Sequence, residues 1–333
     1  MRIAVDAMGG DFAPREIVAG AIDAARGQDR ITKLFLVGDE AAIRAELARR
    51  KDVPGTIEVR HCAEVVEMHE SPASAVRKKK DSSIARSVEM IKAGEADAVF
   101  SAGNTGAAVA ASQLKLRTLE GVLRPAIATV FPSPTRPFVL IDAGANTDST
   151  PQMLVQFAVM GSVYSREILR VKNPVVGLMS IGEEDAKGNE TTKEAFGLLE
   201  KSGLNFKGNI EGHDLFEGEI DVVVCDGFLG NVILKTSESV AHAIGVWLKQ
   251  EFTANALRMF GALCLKGALK ALKKTLDPGS YGGAPLLGVN GVCIIAHGAS
   301  NAVAVSNGIG VCVTAVSQDI NHQIIEGVKK TGT

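Results

Sequence analysis

Short apolar runs, each closing in a small polar loop that opens a helical stretch, recur from one end of this sequence to the other. That rhythm constrains the fold more than any single motif does. A strand that returns through a helix pairs parallel with its neighbour, and the helix covers one face of the sheet. Ile3 to Val5 is the first such run, followed by Met8-Gly9-Gly10-Asp11. Pro14 suits the first turn of the next helix and Gly27 its stop. Leu34 to Val37 reads as a second strand, Glu40 to Arg50 as a helix, and Ile57 to Arg60 as a third strand. Ser71-Pro72 opens a basic helix, and Ser82-Ser83 caps another. Further strands are expected at Ala98 to Phe100, Val139 to Ile141, Val175 to Ser180, Val222 to Val224 and Val292 to Ala296. The pattern predicts an α/β fold in three layers (αβα) around a mostly parallel sheet. It reads as one domain over residues 1–333, with room for two lobes sharing a cleft. The Gly- and Pro-rich stretch Pro278 to Gly291 is expected to be a hinge or a cleft rim.

Composition agrees with a buried sheet. Aromatic residues are only 5% of the chain, so Val, Ile, Leu and Ala must fill the core. A formal net charge of −2 gives no general attraction to nucleic acid. Arg2 is followed at once by a strand-like run, which does not read as a secretory leader, and no apolar stretch is long enough to span a bilayer. The five cysteines are scattered and form no C-x-x-C pair, which reads as reduced thiols. The histidines show no metal-ligand spacing, so no metal and no cofactor is expected. A cytoplasmic location follows as an expectation.

The chemistry sits in the loops. Five strands end in small residues mixed with Asp, Asn, Ser or Thr, and the carboxyl edge of an open α/β sheet is where ligands bind. One such loop alone is turn chemistry. Five on one expected edge suggest an anion socket built from backbone N–H groups and helix ends. In Ser101-Ala102-Gly103-Asn104-Thr105-Gly106 the glycines let the backbone approach a phosphate, and Asn104 and Thr105 add side-chain hydrogen bonds. Nucleotide signatures are absent: there is no G-x-x-x-x-G-K-[ST] and no G-x-G-x-x-G. No G-x-S-x-G elbow appears either. Cys225 is a candidate covalent nucleophile, although a free cysteine at a strand end is more often a small buried hydrophobe. Lys187 lies in a polar loop after a strand, and Lys235 follows Asn231 by one helical turn. Arg77 and Lys80 belong to a basic run.

From Phe252 to Leu276 there is no acidic residue. Leu265, Leu269, Leu272 and Leu276 form a helical stripe, with Lys266, Lys270, Lys273 and Lys274 beside it. A basic amphipathic helix of this kind meets anionic lipid, an acidic partner or a second copy of the chain.

At these loops the sequence resembles the bacterial acyl-acyl carrier protein:phosphate acyltransferase family (PlsX). The matching motifs are Val5-Asp6-Ala7-Met8-Gly9-Gly10-Asp11, Ser101 to Gly106, Asp142-Ala143-Gly144-Ala145-Asn146, and Gly182-Glu183-Glu184-Asp185-Ala186-Lys187-Gly188-Asn189. They continue through Cys225-Asp226-Gly227-Phe228-Leu229-Gly230-Asn231 and Tyr281-Gly282-Gly283-Ala284-Pro285. His297-Gly298-Ala299-Ser300 departs slightly in having Ala299. The resemblance implies an isocitrate/isopropylmalate dehydrogenase-like fold, shared with phosphotransacetylases, and a homodimer. It implies acyl carrier protein as donor, inorganic phosphate as acceptor, and an acyl phosphate passed to a membrane glycerol-3-phosphate acyltransferase. It also implies a protein that works in the cytoplasm and on the inner face of the membrane.

The residues expected to carry the reaction are Lys187 and Asn231 for charge and oxyanion stabilisation, with Asp226 and Asp142 orienting the donors. Substrate contacts are expected from Asp6, Gly10, Asp11, Ser101, Gly103, Asn104, Thr105 and Gly106. Asn146, Asn189, Gly227, Lys235, His297 and Ser300 join them, and Arg77 and Lys80 hold phosphate or the carrier arm. Leu265, Lys266, Leu269, Lys270, Leu272 and Lys273 are expected at the membrane or carrier. Three other readings are a metal-dependent 2-hydroxy-acid dehydrogenase, weakened by the lack of D-x-x-x-D, a phosphotransacetylase using coenzyme A, and a non-catalytic scaffold for acyl carrier protein.

Overall fold

A computed structural model describes residues 1–276 and 278–332, with the backbone alone at positions 73, 273, 274, 276 and 278. The first strands are β1 (Arg2–Asp6), β2 (Lys33–Gly38), β3 (Ile57–His61) and β4 (Ala98–Ser101). Then come β5 (Ala126–Phe131), β6 (Phe138–Ile141), β7 (Val176–Met179), β8 (Phe206–Ile210) and β9 (Val222–Val224), and finally β10 (Ala284–Leu287) and β11 (Val292–Ile295). They form one 11-stranded sheet in the order β3-β2-β1-β4-β11-β10-β5-β6-β9-β7-β8.

The helices are α1 (Arg15–Gly27), α2 (Glu40–Ala48), α3 (Pro72–Lys78), α4 (Ser83–Lys92), α5 (Thr105–Leu116) and α6 (Pro151–Glu167). They continue with α7 (Glu190–Glu200), α8 (Gly227–Thr253), α9 (Ala256–Cys264), α10 (Lys266–Leu276), α11 (Ala302–Ser317) and α12 (Ile320–Thr331).

Alternating strand residues serve two faces, as the pleat requires. Ile3, Val5, Leu34, Leu36 and Phe100 pack with α1 and α11 in one core, which extends to α6 beneath Val139, Val222 and Leu178. Ala4, Phe35, Val37 and Val99 face the opposite way, against α4 and α5. Phe131, Phe138, Leu140 and Val223 form a third cluster on which Leu229 and Ile233 of α8 rest. The three expected layers are therefore present.

The sheet is parallel except where β5 and β10 pair: β11 with β10, β10 with β5, and β5 with β6 are antiparallel. Those three reversals make β6, β9, β7 and β8 run opposite to β3, β2, β1, β4 and β11. The expectation that all five ligand-type loops leave one edge is thereby corrected. The loops after β1, β4 and β11 leave one edge, and those after β6 and β9 leave the other, as does the loop after β7. The stretch Pro278 to Gly291, expected as a hinge or a cleft rim, contains β10, one of the two reversing strands.

The stretch read as one basic helix is divided. It comprises the end of α8, then α9 and α10. Asn255 starts α9 by accepting the Arg258 N–H on Oδ1 at 2.9 Å, a side-chain cap that begins a new helix. Leu265 and Leu272 are exposed, Leu269 is half-buried, and Lys266 and Lys270 are exposed. The side chains of Lys273, Lys274 and Leu276 lie outside the described residues.

Candidate active site

Three loops interlock at the first edge. The Asp6 carboxylate is buried and accepts the Ser101 hydroxyl at 2.7 Å, while Ser101 Oγ accepts the Gly103 N–H at 3.1 Å. Gly9 is pressed against the neighbouring loop, so that a Cβ there would lie 2.7 Å from Gly103 N. Asp11 N–H donates to the Gly298 carbonyl at 2.8 Å, tying in the loop after β11. Burial raises the Asp6 carboxyl above the usual carboxylate range, against the pull of hydrogen bonds from Ser83 and Ser101.

Asn104 is fully engaged in holding this edge together. Its amide donates to the carbonyls of Glu67, Met68 and Glu70, and its Oδ1 caps α5 by accepting the Ala107 N–H at 3.0 Å. Both ends of its side chain are thus paired within the protein. Gly106 lets α5 pass close to α3, since a Cβ would stand 2.5 Å from Pro72 Cγ. Thr105 is exposed, and His297, also exposed, accepts the Ala299 N–H on Nδ1 at 3.1 Å. Ser300 donates to the His297 carbonyl at 2.6 Å. Arg77 and Lys80 are exposed and form no ion pair among the described residues. Lys79, between them in sequence, clamps the Val65 carbonyl and Glu70.

At the second edge Asp142 is the organising group. Its Oδ1 accepts the N–H groups of Ile127, Gly144 and Ala145, and its Oδ2 accepts those of Ala145 and Asn146 with the Asn146 side-chain amide. Burial pushes this carboxyl up, and the ring of donors opposes that shift. The start of α8 is drawn onto the same loop: Gly227 N–H donates to the Asn146 carbonyl at 2.7 Å. A Cβ on Gly230 would lie 1.9 Å from the Asp142 carbonyl oxygen, so only glycine admits this approach. Asn231 is exposed and faces Gly144, where a Cβ would stand 3.5 Å from the Asn231 Cβ.

A cavity of about 220 Å³ opens between the ends of β6, β7 and β9. Asn189 and Asp226 line it, as do Thr147, Asp148, Ser149, Thr191 and Thr192. Its apolar wall includes Leu154, Leu178, Met179 and Leu229, and Cys225 is also at its surface. Three helices begin here, each with a side-chain cap. Thr150 accepts the Met153 N–H, Asn189 the Thr192 N–H, and Asp226 the Leu229 N–H. Lys187 and Asn231 lie on segments flanking the cavity, two residues before Asn189 and two after Leu229. Lys187 is exposed, with Nζ 3.9 Å from Glu184, and Lys235 pairs with Glu238 at 2.8 Å.

Sequence reasoning missed Thr147, Asp148, Ser149, Thr191 and Thr192. The available signal was the hydroxyl-rich run Thr147-Asp148-Ser149-Thr150 before Pro151, a polar helix entry beside a glycine loop. The two edges are linked across one face of the sheet. Ala107, Ala108 and Ala111 of α5 share a single apolar cluster with Ala143, and Ala145 and Leu234 of α8 pack against it.

A group of potential metal ligands stands outside the cavity. Ligand atoms of Glu183, His213 and Asp214 lie within 4.8 Å of one another, in an exposed setting. Asp214 also accepts the Glu211 N–H, which closes its own turn.

A model of the family described as "Fatty acid synthesis protein" matches residues 1–323. The chain belongs to that family. A phosphate acyltransferase from Pelotomaculum thermopropionicum is 50% identical over 331 residues, covering 99% of this chain and 95% of that protein. One from Halothermothrix orenii is 48% identical over 334 residues, covering 100% of both. Among solved structures, EutD phosphotransacetylase from Staphylococcus aureus superposes with a TM-score of 0.59 at 17% identity, over 96% of this chain and 94% of that one. A 4-hydroxythreonine-4-phosphate dehydrogenase from Klebsiella pneumoniae gives 0.53 at 14% identity, over 95% and 99%. These likenesses establish the α/β fold expected from the loop pattern.

Proposed function

We propose that the protein transfers a fatty acyl group from acyl-acyl carrier protein to inorganic phosphate, giving an acyl phosphate. The observation that carries this reading is the near-complete match to phosphate acyltransferases at about half identity. Lys187 and Asn231, on segments flanking the cavity, support it.

A phosphate oxygen attacks the thioester carbonyl, the C–S bond breaks, and the departing thiolate takes the proton that the phosphate gives up. Orthophosphate is already an adequate nucleophile, so positioning and donors aimed at the oxyanion supply most of the acceleration. Lys187 holds the anion and the Asn231 amide donates to the carbonyl oxygen as it gains charge. Asp142 and Asp226 hold the loop and helix that carry these groups. The test is incubation with long-chain acyl carrier protein and phosphate, with hydroxylamine trapping of the product. Acyl hydroxamate that depends on both phosphate and Lys187 is expected. Its absence with this donor, and its appearance with acyl-coenzyme A, would turn the reading to a phosphotransacetylase.

The outer part of the molecule suits work at a membrane surface. Trp247 of α8, Leu257, Phe260 and Leu263 of α9 and Leu265 are all exposed, beside Lys266 and Lys270. Clustered apolar groups beside cations suit anionic lipid or a second copy of the chain. In this reading the enzyme is a cytoplasmic homodimer that attaches peripherally and hands its product to a membrane glycerol-3-phosphate acyltransferase.

A further inference from the structure

We propose that the cavity between the ends of β6, β7 and β9 takes the uncharged, amide-bearing pantetheine tether of the acyl donor, and that orthophosphate binds outside it. This rests on the thioester reading above and assigns a part of the donor to a defined place.

Charge decides against phosphate inside. Among the described residues no lysine, arginine or histidine lines the cavity, whereas Asp148 and Asp226 both do. Three helix N-termini contribute roughly half a positive charge each, about +1.5 in all. That leaves the cavity close to neutral or slightly negative beside two carboxylates. A phosphate carrying one or two negative charges would meet like charge at short range with no cation in the lining to offset it, whereas Lys187 stands outside. The amides at the helix starts are also partly taken, since Asn189 and Asp226 each cap their own helix.

The same lining suits a neutral chain of amides and methylenes. Leu154, Leu178, Met179 and Leu229 give the methylenes an apolar wall. Asp148 has no hydrogen bond or ion pair among the described residues, which leaves its carboxylate free to accept an amide N–H. The hydroxyl of Ser149 is buried and also without a partner, and a hydroxyl can serve an amide N–H or an amide carbonyl. The lining is thus mixed, seven polar residues with five apolar ones, and offers an amide chain hydrogen-bond partners as well as apolar contact along its length.

The tether is common to acyl carrier protein and coenzyme A, so the experiment separates the two sources. Free pantetheine should compete with the acyl donor and not with phosphate in steady-state kinetics, and calorimetry should show it binding the intact protein directly. Asp148→Lys should raise the KM for the donor about tenfold and leave the KM for phosphate within about twofold, because the added cation stands in the tether path. Thr191→Phe, which fills the cavity without adding charge, should act in the same direction. Activity with acyl carrier protein alone, or with acyl-coenzyme A also, identifies the source, and both donors should respond to the variants alike. A lower phosphate KM in Asp148→Lys with an unchanged donor KM would overturn the assignment, as would pantetheine that neither binds nor competes. Failure of the acyltransferase reading looks different: no acyl phosphate forms with either donor in the unmodified enzyme.

Discussion

The side-chain amide of Asn146 donates to Asp142 Oδ2 at 2.9 Å while its own backbone N–H donates to the same oxygen at 2.7 Å. The loop after β6 is thus wrapped around a carboxylate, and the start of α8 is seated on that loop. A single buried acid therefore positions groups from two elements, including Asn231 opposite Gly144.

Replacing Asp142 by Asn should be costly although it conserves shape. One carboxylate oxygen becomes an NH₂ group and faces N–H groups that need an acceptor. Unsatisfied buried polar groups cost about 1–3 kcal/mol each, so a loss of about 3 kcal/mol or more is expected. Urea unfolding of Asp142→Asn against the parent measures it, and a loss under about 1 kcal/mol would show that the loop does not depend on this acceptor.

Two glycines of the same helix should respond in opposite directions. Gly230→Ala drives a Cβ into the Asp142 carbonyl, and backbone cannot rotate out of the way as a side chain can. Destabilisation of several kcal/mol is expected, among the larger effects seen for single substitutions. At Gly245 a Cβ would meet nothing within 4 Å. There Gly245→Ala should stabilise by roughly 0.5–1 kcal/mol, because alanine loses less backbone entropy in a helix. Denaturation midpoints of the two variants test the contrast directly.

Which parts of this arrangement were legible in the sequence follows from what each part depends on. β1, β4, β6, β9 and β11 could be read because each apolar run ends in its own Gly- and Asp/Asn-rich loop, a local signal. Ala126 to Phe131 and Ala284 to Leu287 carry no such ending and were not read as strands. Those are β5 and β10, the two that reverse the sheet. Missing them hid the fact that Ser101 and Asp142 sit at opposite edges, because pairing direction is a non-local property. The resemblance to a family could name Lys187 and Asn231 from motif alone. It could not show that the Asn104 amide is consumed by the carbonyls of residues 67, 68 and 70, which lie far away in sequence. Thr147 and Thr191 escaped because a hydroxyl near a helix start reads as a cap unless a cavity is seen beside it.

Asp6 should make stability depend on pH with a definite sign. Burial raises its carboxyl pKa in the folded state, so the folded protein holds that proton more tightly than the unfolded chain does. The resulting stabilisation is full below the unfolded value, near 4, and is lost as pH climbs through the raised folded value. Asp6→Asn has no such titration. The stability advantage of the parent over Asp6→Asn should therefore be larger near pH 5 than near pH 8 in urea unfolding. A constant offset across that interval would show that Asp6 does not titrate with folding.

Cys225 is placed where a nucleophile would be sought, at the end of β9 and at the cavity surface, yet its surroundings hold it inert. It is buried, and burial raises its thiol pKa well above the ordinary value, with Asp226 and Asp142 adding to the shift. The thiol donates to the Asp142 carbonyl at 3.7 Å. A thiolate is the reactive form, and burial beside Asp226 and Asp142 disfavours it despite the nearby start of α8. The proposed direct attack by phosphate requires no acyl-enzyme at this position. Cys225→Ala should retain most of the turnover, with only the modest stability loss of a small core truncation. Alkylation by iodoacetamide near pH 8 should mark the exposed Cys264 and spare Cys225, as read by peptide mass spectrometry. Incubation with labelled acyl donor in the absence of phosphate should leave no label on the protein. A stable thioester at Cys225, or loss of activity in Cys225→Ala with the fold intact, would replace direct transfer with a two-step covalent route.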